Sequence, residues 1–260
     1  MQEFEIIRDV VQKYTYLAMD TEFPGVVAKA IGNYKSMGEY HYASLRVNVD
    51  MLKIIQLGLT FTDADGNLPE HDGELCVWQF NFREFKLHED LYAQDSIELL
   101  KESGIDFDNL ARRGVDVRKF AELLMTSGVV LNDTVRWVTF HAGYDFGYML
   151  KVLTCDKLPE SESEFFELLR LFFPCFYDIK YMMKFCDSLH GGLSKLAEQL
   201  DVDRIGPQHQ AGSDSLLTAS TFTKLMTTYF NGRDSREVRD HCNILYGLGV
   251  DGNNELYKDD

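Results

Sequence analysis

The chain has 260 residues, of which 45% are hydrophobic and 26% charged, a balance that excludes a disordered or fibrous polymer and suits a globular core. Its formal net charge of −16 excludes a protein that coats nucleic acid through a broad basic face, and confines any such grip to a local pocket. No apolar run approaches the ~18–20 residues of a membrane span, and Met1-Gln2-Glu3-Phe4-Glu5 lacks the basic start and apolar core of a secretory signal.

In chain order, residues 14–19 are short, apolar and aromatic-rich, which predicts a strand. A second strand is expected over 53–61, then a turn through Asp63-Ala64-Asp65-Gly66-Asn67, and a returning third strand over 76–82. Helical spacing follows at 96–103, through Ile97, Leu99 and Leu100, and at 117–125, through Phe120, Leu123 and Leu124. Residues 135–140 predict another buried strand that leads into a helix over 144–153. A strand or extended segment at 172–178 and helices at 179–186, 194–200 and 213–229 complete the pattern. An antiparallel meander followed by alternating strands and helices predicts an α/β fold with a mixed central sheet and flanking helices.

No repeat or linker divides the chain, so residues 1–230 are expected to form a single domain. Residues 231–260 are polar and read as a weakly ordered extension, with Ile244-Leu245-Tyr246 as the stretch able to dock back. The five cysteines (Cys76, Cys155, Cys175, Cys186, Cys242) form no C-x-x-C pair, which points to buried free thiols rather than a disulfide framework or zinc site. A soluble intracellular protein with no membrane partner is expected.

Acidic residues carry the chemistry. Asp20 and Glu22 end the first strand, and residues i and i+2 of a strand share a face, so both carboxylates project together. Alone, the pair is weak evidence and reads first as a solvated strand end before Pro24-Gly25. Asp145 follows the 135–140 strand at a strand–turn–helix junction, where an acid also suits the helix dipole. His209 precedes Asp214 by five residues at the start of the last long helix, and Ser213 and Asp214 could serve there only as cap residues. An imidazole ordinarily titrates near ~6.5 and is suited to take a proton from water at neutral pH.

Together the pieces fit one mechanism. Three Asp and one Glu converging at ~5 Å repel by about 3 kcal/mol per pair at an effective dielectric of ~20. Divalent cations relieve that repulsion, and hard oxygen donors favour Mg²⁺ or Mn²⁺. Two such ions ~3.5–4 Å apart suit in-line attack at phosphorus.

Asp20-Thr21-Glu22, Asp145 and His209 with Asp214 resemble the motifs of the DEDD exonuclease superfamily in its histidine-bearing branch. The tyrosine branch would show Tyr-x-x-x-Asp, whereas Gln210 stands four residues before Asp214. More narrowly the chain resembles the Pop/Caf deadenylases, catalytic subunits of the Ccr–Not complex. The resemblance runs through Met19-Asp20-Thr21-Glu22-Phe23-Pro24-Gly25, residues 48–62 (NVDMLKIIQLGLTFT), 140–150 (FHAGYDFGYML) and 206–217 (GPQHQAGSDSLL), within a similarity spanning Phe4 to Phe230.

That resemblance implies an RNase H-like fold and 3′→5′ release of AMP from poly(A) RNA in mRNA decay, with cytoplasmic and nuclear localisation. It implies that Asp20, Glu22 and Asp214 hold one divalent ion, Mg or Mn, that Asp20 and Asp145 hold a second, and that His209 is the general base. It also implies docking to the Ccr–Not scaffold, pairing with a second deadenylase, and binding of Tob-class antiproliferative proteins. Phe23 is placed beside the terminal nucleotide by the superfamily resemblance; it reads equally as a core residue closing the strand. Asp178 is a rival acid at a strand end, and His141 is read as satisfying its turn. Two other functions stay open: a 3′→5′ exonuclease of single-stranded DNA, and an adaptor or scaffold subunit whose nuclease activity is secondary.

Overall fold

The structure, a computed structural model, describes residues 2–233 and 235–254. Its strands are β1 (Tyr16–Glu22), β2 (Gln56–Thr62), β3 (Glu70–His71), β4 (Glu74–Leu75), β5 (Trp78–Asn81), β6 (Arg136–Thr139) and β7 (Phe176–Asp178). Five of them form one sheet in the order β5-β2-β1-β6-β7, and β3 with β4 makes a small separate hairpin. β1, β2 and β5 pair antiparallel, whereas β6 and β7 continue the sheet in parallel, so the sheet is mixed as expected. β1 and β2 lie side by side within the sheet and are buried on both faces; β1 opens with the apolar run Tyr16–Met19, whereas β2 alternates Leu57, Leu59 and Phe61 with Gln56, Gly58, Thr60 and Thr62.

Helices cover both faces. They are α1 (Gln2–Val10), α2 (Met37–Met51), α3 (Gln94–Glu102), α4 (Phe107–Arg113), α5 (Val117–Met125), α6 (Gly143–Thr154), α7 (Glu162–Phe172), α8 (Ile179–Met182), α9 (Leu193–Gln199), α10 (Ala211–Tyr229), α11 (Arg236–Arg239) and α12 (Gly249–Asn254). Leu17 and Met19 of β1 face the larger core with residues of α1, α2, α5, α6 and α7. Tyr16 and Ala18 face a second core built with α8, α9 and α10. This parity decides the site: Asp20 and Glu22 continue the even-numbered face toward α10, and Thr21 continues the odd face toward α6.

Six of the helices in the described residues are missing from the expected pattern: α1, α2, α4 and α7, and α11 and α12 in the segment after Asn231. α1 and α7 carry legible signals, Phe4, Ile7 and Val10 in the first and a Ser161–Glu164 capping box in the second. α2 buries Gly38, Tyr42 and Asn48 beside Leu45 and Val49, so its stripe does not read as apolar. α4 is a short piece held by the Asp106 cap. Because α7 runs to Phe172, the strand expected over 172–178 starts only at Phe176.

The segment after Asn231 packs onto the domain as far as it is described. Val238 joins the second core and Leu245 and Leu248 the first, while buried Asp251 pairs with Lys184 at 2.7 Å. Residues 255–260 of the expected weakly ordered extension lie outside the described residues. All five cysteines are free, but burial holds only for Cys186; Cys155 is exposed and the other three are half-exposed. No helix of the described residues is long and apolar enough to cross a membrane.

Candidate active site

β1 delivers Asp20 and Glu22 to one side of its carboxyl end, opposite Gly58 and Gln56 of β2. Between them Thr21 points to the other side, where its backbone N–H and its hydroxyl donate to Asp145 Oδ1 at 2.9 and 2.6 Å. Asp145 lies in the first turn of α6 and is buried. Thr21 therefore ties the second acid to the first pair.

Asp214 comes from α10, which must lie close on the sheet to reach Asp20 and Glu22. Gly58 permits this, because a Cβ there would overlap the backbone of Ala211. Thr60 and Ser215 then meet through a buried hydroxyl pair at 2.8 Å. The amino end of α10 has no side-chain cap of its own. Instead Gln56 Oε1 accepts from Ala211 N at 3.3 Å and Gln79 Oε1 accepts from Gly212 N at 2.8 Å, so the sheet satisfies the orphan donors of the helix.

His209 precedes α10 with a left-handed backbone, φ 60°, and its N–H donates to Asp214 Oδ2 at 2.8 Å. Asp214 Oδ1 accepts from Arg204 Nη1 at 2.6 Å, and Arg204 Nη2 donates to Ser194 at 3.1 Å. Glu22, His209 and Asp214 each offer a donor atom within 4.8 Å of the others. These residues, with Asp20, Thr21, Ser194, Lys195, Arg204 and Gln208, line a cleft of about 500 Å³, a volume that suits a single nucleotide.

The electrostatics are those of a crowded acidic site. Burial pushes the Asp20 carboxyl well above the usual carboxylate range; Asp145, Glu22 and Asp214 add to the push and Arg204 opposes it. Burial, then Asp214 and Asp145, push Glu22 up to about 8. Burial raises Asp145 to about 6 against the opposing Thr21 hydrogen bonds. Without cations, protons must take over the neutralisation. A hard-oxygen donor set that holds excess protons fits divalent metal ions, which favour its charged form.

The other candidates fall around this group. Phe23 is half-exposed and packs against Tyr144 and Tyr148, with ring centroids 5.3 and 5.1 Å away. Asp178 is buried, and its carboxylate accepts from the backbone N–H groups of His141, Lys180 and Tyr246 at 2.8, 3.0 and 3.0 Å. It thus shapes the turn before Asp145. His141 takes a left-handed backbone in that turn, φ 59°, and its ring meets Tyr246 edge-on.

The sequence pattern of the CAF1 family ribonuclease matches residues 1–122 and 115–222. The chain belongs to the CAF1 ribonuclease family. Within it, the probable CCR4-associated factor 1 homolog 7 of Arabidopsis thaliana is 58% identical over 251 residues, covering 96% of this chain and 90% of that protein. Poly(A) ribonuclease pop2 of Schizosaccharomyces pombe is 51% identical over 252 residues, covering 96% of this chain and 73% of its own. The solved structure of S. pombe Pop2p in its Mg²⁺- and Mn²⁺-bound form matches with a TM-score of 0.89 at 50% identity, covering 95% of each chain. The structure of the yeast NOT1 MIF4G domain co-crystallised with CAF1 matches with a TM-score of 0.75 at 33% identity, covering 94% of this chain and 92% of that one. The fold is RNase H-like, with the mixed sheet expected from the sequence.

Several residues that build this CAF1-family site carry no signal of their own in the sequence. Arg204 is an isolated cation ten positions before Asp214. Gln56 and Gln79 read as ordinary strand residues and act only because α10 ends on them. Asn48 is fully buried; its Oδ1 accepts from Val27 N and Ala28 N at 2.8 and 3.0 Å, and its Nδ2 donates to Ala28 O and Ser44 O at 2.7 Å each. It clamps the loop that leaves the acidic strand.

Proposed function

We infer that this chain is a 3′→5′ exoribonuclease that shortens poly(A) tails and releases AMP. The observation that carries the reading is the convergence of Asp20, Glu22, Asp214 and His209 on one nucleotide-sized cleft, with Asp145 buried behind it, close enough to raise Asp20 and tied to Thr21. Identity of 51% with a poly(A) ribonuclease across 96% of the chain supplies the substrate class.

In this reading Asp20, Glu22 and Asp214 hold one divalent ion, and Asp20 with Asp145 holds a second. The Mg²⁺- and Mn²⁺-bound form of the S. pombe relative supports the choice of Mg or Mn. When bound, such ions supply Lewis acidity and charge neutralisation at the scissile phosphate. His209 takes the proton of the attacking water, with Asp214 fixing its backbone. Arg204 and Thr21 orient Asp214 and Asp145. Phe23 lies by the terminal nucleotide, a reading supported by its half-exposed ring directly after Glu22.

The co-crystal of a CAF1 relative with a NOT1 MIF4G domain supports docking to the Ccr–Not scaffold. A second deadenylase and Tob-class proteins complete the proposed partners, and the cytoplasm and nucleus the proposed locations. The net charge of −16 supports weak, distributive action by the isolated chain.

The test is a gel of purified chain acting on 5′-labelled RNA with an A-tail after mixed sequence. A ladder of single-nucleotide steps from the 3′ end, slowing at the tail boundary and lost in EDTA, is expected. Equal digestion of oligo(dA), or cleavage indifferent to EDTA, would overturn the reading.

A further inference from the structure

β7 and the segment 241–248 lie side by side at the edge of the sheet. Asn243 N donates to Phe176 O at 2.8 Å, its side-chain Oδ1 accepts from Phe176 N at 3.1 Å, and its Nδ2 donates to Pro174 O at 3.0 Å. These bonds fix the register of the two backbones at the residues preceding Phe176 and Asn243. Cys175 and Cys242 consequently face each other with their sulfurs 3.2 Å apart, across 67 residues of sequence. Both are free and half-exposed. Neither lines the acidic cleft.

We propose that Cys175 and Cys242 are a two-thiol oxidation site that closes to a disulfide when the protein meets a hydroperoxide. The sulfurs need only a small approach to bond, and three backbone-directed hydrogen bonds hold them in place. In a reducing compartment structural disulfides do not persist, so a pair held together as thiols is a reversible site rather than a framework bond.

The chemistry is asymmetric. The contact with Cys242 holds the Cys175 thiol down to about 7, with Tyr177 and Arg136 assisting against burial. Cys242 is pushed far up by Cys175 and by burial. Cys175 is therefore the sulfur that attacks, as the more thiolate-rich of the two. Its thiolate breaks the O–O bond of the hydroperoxide and takes one oxygen as a sulfenic acid, and the remainder leaves as the alcohol, or as water from hydrogen peroxide. The Cys242 sulfur then attacks the sulfenic sulfur; the S–S bond forms and the hydroxyl departs as water with the Cys242 proton. Two thiols lose two hydrogens, and one hydroperoxide is reduced.

The bond would tie down a strap that reaches the turn before the acidic site. Four residues past Cys242, Tyr246 donates its N–H to Asp178 Oδ2 at 3.0 Å, and the same carboxylate holds His141 N at 2.8 Å, four residues before Asp145. Leu245 between them is fully buried.

The full chain is exposed to graded hydrogen peroxide, quenched, alkylated and weighed, with linked peptides mapped after proteolysis. A Cys175–Cys242 peptide is expected, with two fewer alkylated thiols, a mass lower by two hydrogens, and full reversal by dithiothreitol. Cys242→Ser stops at a dimedone-reactive sulfenic acid on Cys175, and Cys175→Ser forms no bond. The oxidised wild type melts at least ~4 °C higher than the reduced one, since a long loop is closed. Exposed Cys155 serves as an internal dosimeter and makes the wild-type result decisive without any variant. Cys175 and Cys242 both still alkylated at a dose that oxidises Cys155, or linkage of either to another cysteine, would overturn the proposal.

Discussion

Arg204 Nη1 donates to Asp214 Oδ1 at 2.6 Å, with side chains only 21% and 10% exposed, so one cation stands against the fourth acid of the site. Removing it leaves Asp214 buried among carboxylates with its charge uncompensated. Arg204→Met should cost about 2 kcal/mol in EDTA, read as a fall of ~4–8 °C in melting temperature. In millimolar Mn²⁺ the fall should shrink to less than half. An equal loss with and without metal would detach Arg204 from the charge balance of the site.

The pH dependence has a definite sign. Asp20, Glu22 and Asp145 are raised above their unfolded values, Glu22 to about 8 and Asp145 to about 6. Between pH ~4, where free carboxyls titrate, and ~8, the folded state binds more protons than the unfolded one. Metal-free stability is therefore fullest below this window and falls as pH rises through it. The stabilisation given by Mn²⁺ grows over the same range, because the cation replaces the protons. Thermal melts from pH 5 to 8, with and without Mn²⁺, check this, and Asp20→Asn should flatten the metal-free slope. A metal-free melting temperature that rises with pH would contradict it.

Thr21 holds Asp145 through two bonds, of which only the hydroxyl bond can be deleted by substitution. Thr21→Val keeps the strand-forming shape and the backbone bond. It should weaken divalent-ion affinity and lower kcat by about tenfold each, with melting temperature little changed in EDTA. Titration of activity with Mn²⁺ would show this; an unchanged metal requirement would leave Thr21 with no orienting role.

Gly58 is the point where α10 touches β2, and an added methyl would meet the Ala211 backbone rather than a flexible side chain. Gly58→Ala should destabilise the fold by about 2–3 kcal/mol and move Asp214 away from Glu22. Activity should fall more than stability explains, at a temperature where circular dichroism shows a folded chain. Wild-type kcat in the variant would mean that the close approach does not position the acid.

How far the sequence carried the molecule depended on whether a signal was local. The five candidate residues are legible because each sits at a strand end or helix start of an element the sequence predicts: Asp20 and Glu22 on β1, Asp145 on α6, and His209 and Asp214 at the start of α10. α2 was not legible, because its buried stripe includes Asn48, whose reason for burial is the distant loop through Val27 and Ala28. The same holds for Gln56 and Gln79, which act on a helix more than 130 residues away. Asp178 looked like a rival ligand from its strand end, yet its carboxylate is occupied by backbone N–H groups, a use no spacing could reveal.

The central claim is that Asp20, Glu22, Asp145 and Asp214 hold paired divalent ions in the cleft. Anomalous diffraction from a manganese-soaked crystal of this chain tests it most directly. Two peaks ~3.5–4 Å apart among these carboxylates are predicted. No anomalous peak there, with Arg204 still seated on Asp214, would contradict it.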